Sequence, residues 1–123
     1  MEIIHSDHAP AALGPYSQAV RVQNLIHTSG QIGIDPAVGR ITGTTVGEQA
    51  EQVCKNLAAV LTAAGTDLTR VVKTTCFLAD MADFAAFNEV YARFFTGKPA
   101  RSCVAVKDLP AGARCEIEVI AQV

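Results

Sequence analysis

The sequence predicts an α+β fold, one mixed β-sheet with two helices packed on the same face. Three observations lead there. Two stretches place apolar residues at helical spacing, and short β-branched runs flank both. Each helix therefore joins two strands as a crossover, and crossovers of the usual right hand put both helices on one side of the sheet. The length of 123 residues suits a single domain over 1–123 with one core.

The elements follow in order. Gly14-Pro15-Tyr16 is a turn signal, after which Ser17 to Gln23 and Leu25 to Ser29 read as strands. Gly30 to Gly43 holds four glycines and Asp35-Pro36, so it reads as loop, with room for a strand at Gln31 to Ile34. Thr45-Val46-Gly47-Glu48 has the form of a capping box. Val46, Ala50, Val53, Cys54, Leu57, Val60, Leu61 and Ala64 follow at helical spacing, and Gly65 supplies a left-handed stop. Arg70 to Ala79 reads as a strand with Val72, Thr74, Cys76 and Leu78 facing one way and Val71, Lys73, Thr75 and Phe77 the other. Ala82 to Phe95 is a second helix with Phe84, Phe87, Tyr91 and Phe94 on one stripe, ended by Gly97 and Pro99. Ser102 to Lys107 and Arg114 to Val123 close the chain as strands.

If both helices share one face, the other face is bare. Yet the strand carrying Val104 and Val106 on one side and Cys103 and Ala105 on the other, read as central, is apolar on both. A half-solvated sheet alternates more cleanly. A second copy of the chain is the simplest cover, so oligomerisation is expected.

Composition narrows the function. Half the residues are apolar and 18% are charged, an ordinary globular balance. Ten basic and twelve acidic residues give a net charge of −2, and no two basic residues are adjacent. Phosphate recognition needs clustered cations, so no nucleic-acid partner is expected. No run reaches the ~20 apolar residues of a membrane helix, and the first residues lack a signal-peptide pattern. A cytoplasmic location without membrane association is therefore expected. Cys54, Cys76, Cys103 and Cys115 are widely spaced among apolar neighbours and read as small hydrophobes. His5 and His8 form a lone H-x-x-H near an N-terminus that is expected to be mobile, and no metal site is read there.

Two features invite a chemical reading. Arg101, in Pro99-Ala100-Arg101-Ser102-Cys103, opens an otherwise apolar strand. It fits a surface position at a strand edge, and equally a carboxylate anchor, because guanidinium presents a planar fork to both oxygens of an acid. In Cys115-Glu116-Ile117-Glu118-Val119, alternation puts Glu116 and Glu118 on one side of a strand. They fit a solvated outer face, or a carboxylate held in a cleft as acid or base. Ser29 has no evident His and Asp partners and Cys103 no activating His, which argues against a triad or a thiol nucleophile.

Several strings together resemble the RidA/YjgF (reactive-intermediate deaminase, endoribonuclease L-PSP) proteins. These are Gly14-Pro15-Tyr16-Ser17-Gln18-Ala19, Thr28-Ser29-Gly30-Gln31-Ile32, Val72-Lys73-Thr74-Thr75, Asn88-Glu89-Val90-Tyr91, Pro99-Ala100-Arg101-Ser102-Cys103-Val104 and Glu116-Ile117-Glu118. They occur in the family's order and span nearly the whole chain. The resemblance implies a chorismate-mutase-like α+β fold, a homotrimer with sites in the clefts between subunits, and cofactor-free hydrolysis of 2-iminobutanoate and 2-iminopropanoate to 2-oxo acids and ammonia. It implies that Arg101 binds the substrate carboxylate, that Glu116 holds the catalytic water, and that Tyr16, Ser29, Gly30, Asn88 and Cys103 line the pocket. Main-chain groups at Gly30 and Cys103 are expected to complete the carboxylate cradle.

One stretch departs from the family pattern. Only Thr96, Gly97 and Lys98 separate Phe95 from Pro99, where the family usually carries a longer loop near the cleft. The resemblance also leaves room for an aminoacrylate- or aminomuconate-type deaminase, or for a non-catalytic regulatory trimer that binds small acids. A ribonuclease, an activity attributed to some relatives, is opposed by the acidic charge and the lack of a basic groove.

Overall fold

The computed structural model describes residues 1–123. Eight strands and two helices run in the order β1 (Glu2–Ile4), β2 (Ala19–Val22), β3 (Leu25–Thr28), β4 (Ile34–Asp35), β5 (Arg40–Ile41), α1 (Val46–Ala63), β6 (Val71–Leu78), α2 (Phe84–Phe94), β7 (Ala100–Ala105) and β8 (Cys115–Gln122). The main sheet has the strand order β1-β2-β3-β8-β6-β7, with β6 and β7 parallel and the other pairs antiparallel. β4 and β5 form a separate two-stranded hairpin. The α+β mixed sheet expected from the sequence is present.

α1 begins where the capping box places it. Thr45 Oγ1 accepts from the Glu48 amide at 3.1 Å, and Glu48 Oε1 accepts from the Thr45 amide at 3.1 Å. It ends in a Schellman arrangement. Gly65 at φ +84 donates to Thr62 O and Thr66 donates to Leu61 O, both at 3.0 Å. Ala50, Val53, Cys54, Leu57, Val60 and Leu61 on its inner face are fully buried against the sheet. Cys115, Ile117, Val119 and Ala121 of β8 meet them, and Phe87 of α2 completes the core.

Four particulars differ from the sequence reading. The first residues are not loose, because Glu2–Ile4 pairs with β2 and buries Ile4. The expected strand at Gln31–Ile34 is a single bridge from Gln31 to Ile117, and regular pairing begins at Ile34. β7 is an edge strand rather than a central one. In β6 a bulge between Val71 and Lys73 reverses the alternation there, so Val71 is buried and Val72 is 44% exposed.

Both helices lie on one face, leaving Ile3, Val20, Val22, Phe77, Val104 and Ile120 on the other. Among these Ile3, Val22 and Val104 are 65%, 48% and 47% exposed. These exposed aliphatic side chains lie among His27, Lys73, Glu116 and Glu118 on the same face, a mixed surface of the kind that packs against another chain. No helix is long and apolar enough to cross a membrane.

Candidate active site

Arg101 sits on the helix side of the edge strand β7, in register with the buried Thr74 of β6. α2 builds its seat. Arg101 Nη1 donates to Asn88 Oδ1 at 2.7 Å. The guanidinium carbon lies 4.6 Å from the Tyr91 ring centroid and 5.5 Å from that of Phe84, distances at which a cation is attracted to the ring face. Tyr91 is fixed in turn by stacking on Phe95 at 4.4 Å and by a 2.7 Å hydrogen bond to Thr74. The two ion pairs of the chain join His5 to Asp7 and Arg114 to Asp83, so no carboxylate neutralises Arg101. A positioned, uncompensated fork is the form a carboxylate receptor takes.

The main chain beside it adds donors. Val106 donates to Leu78 O at 2.9 Å. In a parallel ladder alternate residues bond to the same neighbour, so the amides of Arg101, Cys103 and Ala105 turn to the open edge.

Glu116 occupies the opposite face, on β8, in register with Phe77. It lines a cavity of about 380 Å³ with Tyr16, Ser29, Gly30, Gln31 and Pro110. Burial raises its carboxyl pKa above the ordinary value, and the charge of Glu118 raises it further. Gly30 lies directly beneath the carboxylate. A Cβ there would stand 2.8 Å from Glu116 Cδ and closer still to Oε1, so the carboxylate keeps this position only above a glycine. The reciprocal main-chain pair between Gln31 and Ile117, at 2.9 and 3.1 Å, sets that approach.

Two residues that sequence reasoning passed over hold this loop. Asn56 of α1 donates to Ile32 O at 3.1 Å and Ile34 O at 2.9 Å. Gln18 binds Ser6 and Pro10, securing the segment that walls the cavity. Buried amides on otherwise apolar faces are the signal that marks such residues, since an unpaired one is costly.

Within one chain the two halves stay apart. Tyr16, Ser29, Gly30 and Glu116 share the larger cavity. Asn88 and Arg101 share another of about 310 Å³ on the helix side, with β6 between β7 and β8. Neither half alone holds both a carboxylate anchor and a proton acceptor.

Comparison with known proteins shows the family. The family model described as Endoribonuclease L-PSP matches residues 6–123. The chain belongs to this family, the RidA/YjgF proteins. The mouse protein named 2-iminobutanoate/2-iminopropanoate deaminase is 51% identical over 98% of this chain and 90% of its own. A Lactococcus lactis protein named putative regulator AldR is 48% identical over 100% of this chain and 98% of its own. The crystal structure of E. coli TdcF with bound serine has a TM-score of 0.95 at 41% identity, covering 100% of this chain and 99% of that one.

Two further side chains of this RidA/YjgF chain's candidate site have their roles limited by geometry. Ser29 Oγ donates to Ser17 O at 2.6 Å, so its hydroxyl braces the loop. Cys103 is in register with Cys76 on the helix side. Burial raises the pKa of both thiols, that of Cys76 to about 12, with the Arg101 charge opposing the shift. Thiols so protonated are poor nucleophiles.

Proposed function

We propose that the chain hydrolyses 2-imino acids to 2-oxo acids and ammonia, at sites completed between copies in a homotrimer. One observation carries this reading. A preset, uncompensated guanidinium and a half-buried carboxylate with a raised pKa lie on opposite faces, each lining a cavity that lacks the other. The exposed aliphatic side chains of the helix-free face favour packing between copies, which brings Arg101 of one subunit towards Glu116 of the next. The name of the mouse relative supports 2-iminobutanoate and 2-iminopropanoate as substrates. The serine bound to E. coli TdcF has the same α-carboxylate that Arg101 would take.

The chemistry then needs little apparatus. Arg101 clamps the carboxylate, with the free amides of Gly30 and Cys103 as added donors. A water near Glu116 attacks the carbon of the protonated imine and gives a proton to the carboxylate. The resulting carbinolamine takes that proton on nitrogen, and as its C–N bond breaks the hydroxyl proton returns to the carboxylate and leaves with ammonia as ammonium, freeing the 2-oxo acid. Atoms and charge balance without a cofactor, and the catalytic burden is orientation and one proton relay.

The test couples the protein to a threonine dehydratase, which releases 2-iminobutanoate, and follows oxo-acid formation. Acceleration by the native chain and its loss in Arg101→Ala, with the oligomer intact, is the expected result. Full activity in Arg101→Ala refutes the assignment. Tight binding of the oxo acid without acceleration favours a regulatory binding trimer, the reading that the name of the L. lactis relative suggests.

A further inference from the structure

The cavity that holds Arg101 contains a second cation. Lys98 lines it with Asn88, Tyr91, Phe95, Pro99 and Arg101, and no acidic side chain contributes to its wall. Lys98, like Arg101, takes part in neither ion pair of the chain. A monocarboxylate would match one of these charges and leave the other unanswered.

The backbone at Lys98 is held in an uncommon place. Its φ is +52, in the left-handed region that non-glycine residues seldom occupy. A residue before proline is also steered towards extended conformations, so Lys98 departs from two preferences together. The turn is short and pinned at both ends. Lys98 N donates to Phe95 O at 3.3 Å, and a Cβ on Gly97 would stand 3.2 Å from Thr69 O. Strained positions persist where the surroundings over-determine them, and they gather at ligand sites. Here the strain carries a lysine to the rim of the arginine pocket.

We propose that this cleft is matched to dicarboxylic imino acids, with Arg101 on the α-carboxylate and Lys98 on the distal one. The inference rests on the hydrolytic reading above and narrows its substrate class. 2-Iminoglutarate and 2-iminosuccinate carry the two acid groups that the two cations call for. Arg101 supplies the rigid fork, and Lys98 a point charge on a flexible stem that tolerates either chain length.

The test uses the full chain and imines released by an amino-acid oxidase from glutamate and from 2-aminobutyrate. The native protein is expected to show a kcat/KM for 2-iminoglutarate about fivefold or more above that for 2-iminobutanoate, a preference that shrinks as salt rises. Lys98→Met should lower that ratio about fivefold, and Lys98→Arg should keep it. Equal kcat/KM values in the native protein, or equal losses for both imines in Lys98→Met, overturn the proposal. Calorimetry with 2-oxoglutarate and 2-oxobutanoate separates this outcome from failure of the hydrolytic reading. Tighter 2-oxoglutarate binding that Lys98→Met abolishes, without turnover of any imine, upholds the two-cation site and rejects catalysis. Turnover of both imines with equal binding of the two oxo acids rejects only the two-cation site, and absence of both turnover and binding rejects both.

Discussion

The carboxylate of Glu116 rests on the bare Cα of Gly30, in space that any Cβ would occupy. The contact joins β8 to the loop after β3, and it fixes where a proton acceptor can stand relative to the Tyr16 side of the cavity.

Gly30→Ala tests that contact directly. The methyl group must push the carboxylate away, because the Gln31–Ile117 bridge keeps the loop from retreating. Imine hydrolysis should fall about 100-fold, the scale set by misplacing a catalytic group by an ångström. Circular dichroism and oligomer size should be unchanged. A variant within twofold of native activity removes Glu116 from the mechanism.

The raised pKa of Glu116 sets a pH dependence with a definite sign. In the proposed mechanism Glu116 works ionised, so activity should fall on acidification through a midpoint that burial raises. Burial is the larger cause and Glu118 the lesser, so Glu118→Gln should move that midpoint to lower pH. For stability the direction is opposite. A carboxyl whose pKa is higher folded than unfolded contributes fully below the unfolded value, about 4.3, and that contribution is lost as pH rises through the folded value. Glu116→Gln should therefore melt above the native protein at pH 7, by about 1–3 °C, and match it at pH 3.5. Differential scanning calorimetry at the two pH values decides it.

Asn88 orients the fork of Arg101 through one 2.7 Å hydrogen bond. Asn88→Ala leaves the cation but frees its rotation, so KM should rise about tenfold with a smaller change in kcat, as expected for a lost bond to a charged group. Asn88→Asp should do more harm, because the new carboxylate competes with substrate for the guanidinium. Steady-state kinetics that rank the two variants the other way would count against Arg101 as the anchor.

Local pattern in the sequence carried the helices and most strands. The Thr45–Glu48 box and the left-handed Gly65 are complete within a few residues, so they could be read directly. The bulge that buries Val71 in place of Val72 depends on how β6 meets β8, a tertiary matter that no alternation rule encodes. β1 was missed because three residues show no period and gain their structure from β2. Arg101 and Glu116 could be singled out as candidates from residue type and resemblance. Their seats could not, since the aromatic floor beneath Arg101 comes from α2 and the glycine beneath Glu116 from a loop remote in sequence.

Val104 tests the proposed assembly. It is 47% exposed on the helix-free face of the edge strand. Val104→Asp places a charge among the exposed aliphatic side chains of that face, at a residue that lines neither cavity. Light scattering should show a smaller species, and imine hydrolysis should fall in proportion to the trimer lost. Full activity from a monodisperse monomer would falsify the shared site.

Tyr91 separates the ring from the hydroxyl. Its ring supports Arg101 at 4.6 Å, whereas its hydroxyl satisfies the fully buried Thr74 at 2.7 Å. Tyr91→Phe keeps the aromatic face and strands the threonine, whose next partner is only the Cys76 thiol at 3.9 Å. Leaving a buried hydroxyl without its partner costs about 1–3 kcal/mol. Urea denaturation should report that loss at an unchanged m-value. KM should stay within about twofold of native, because the attraction between ring and cation survives without the hydroxyl. A large rise in KM with stability intact would instead assign the hydroxyl to the substrate, and the floor beneath Arg101 would have to be redrawn as part of the pocket.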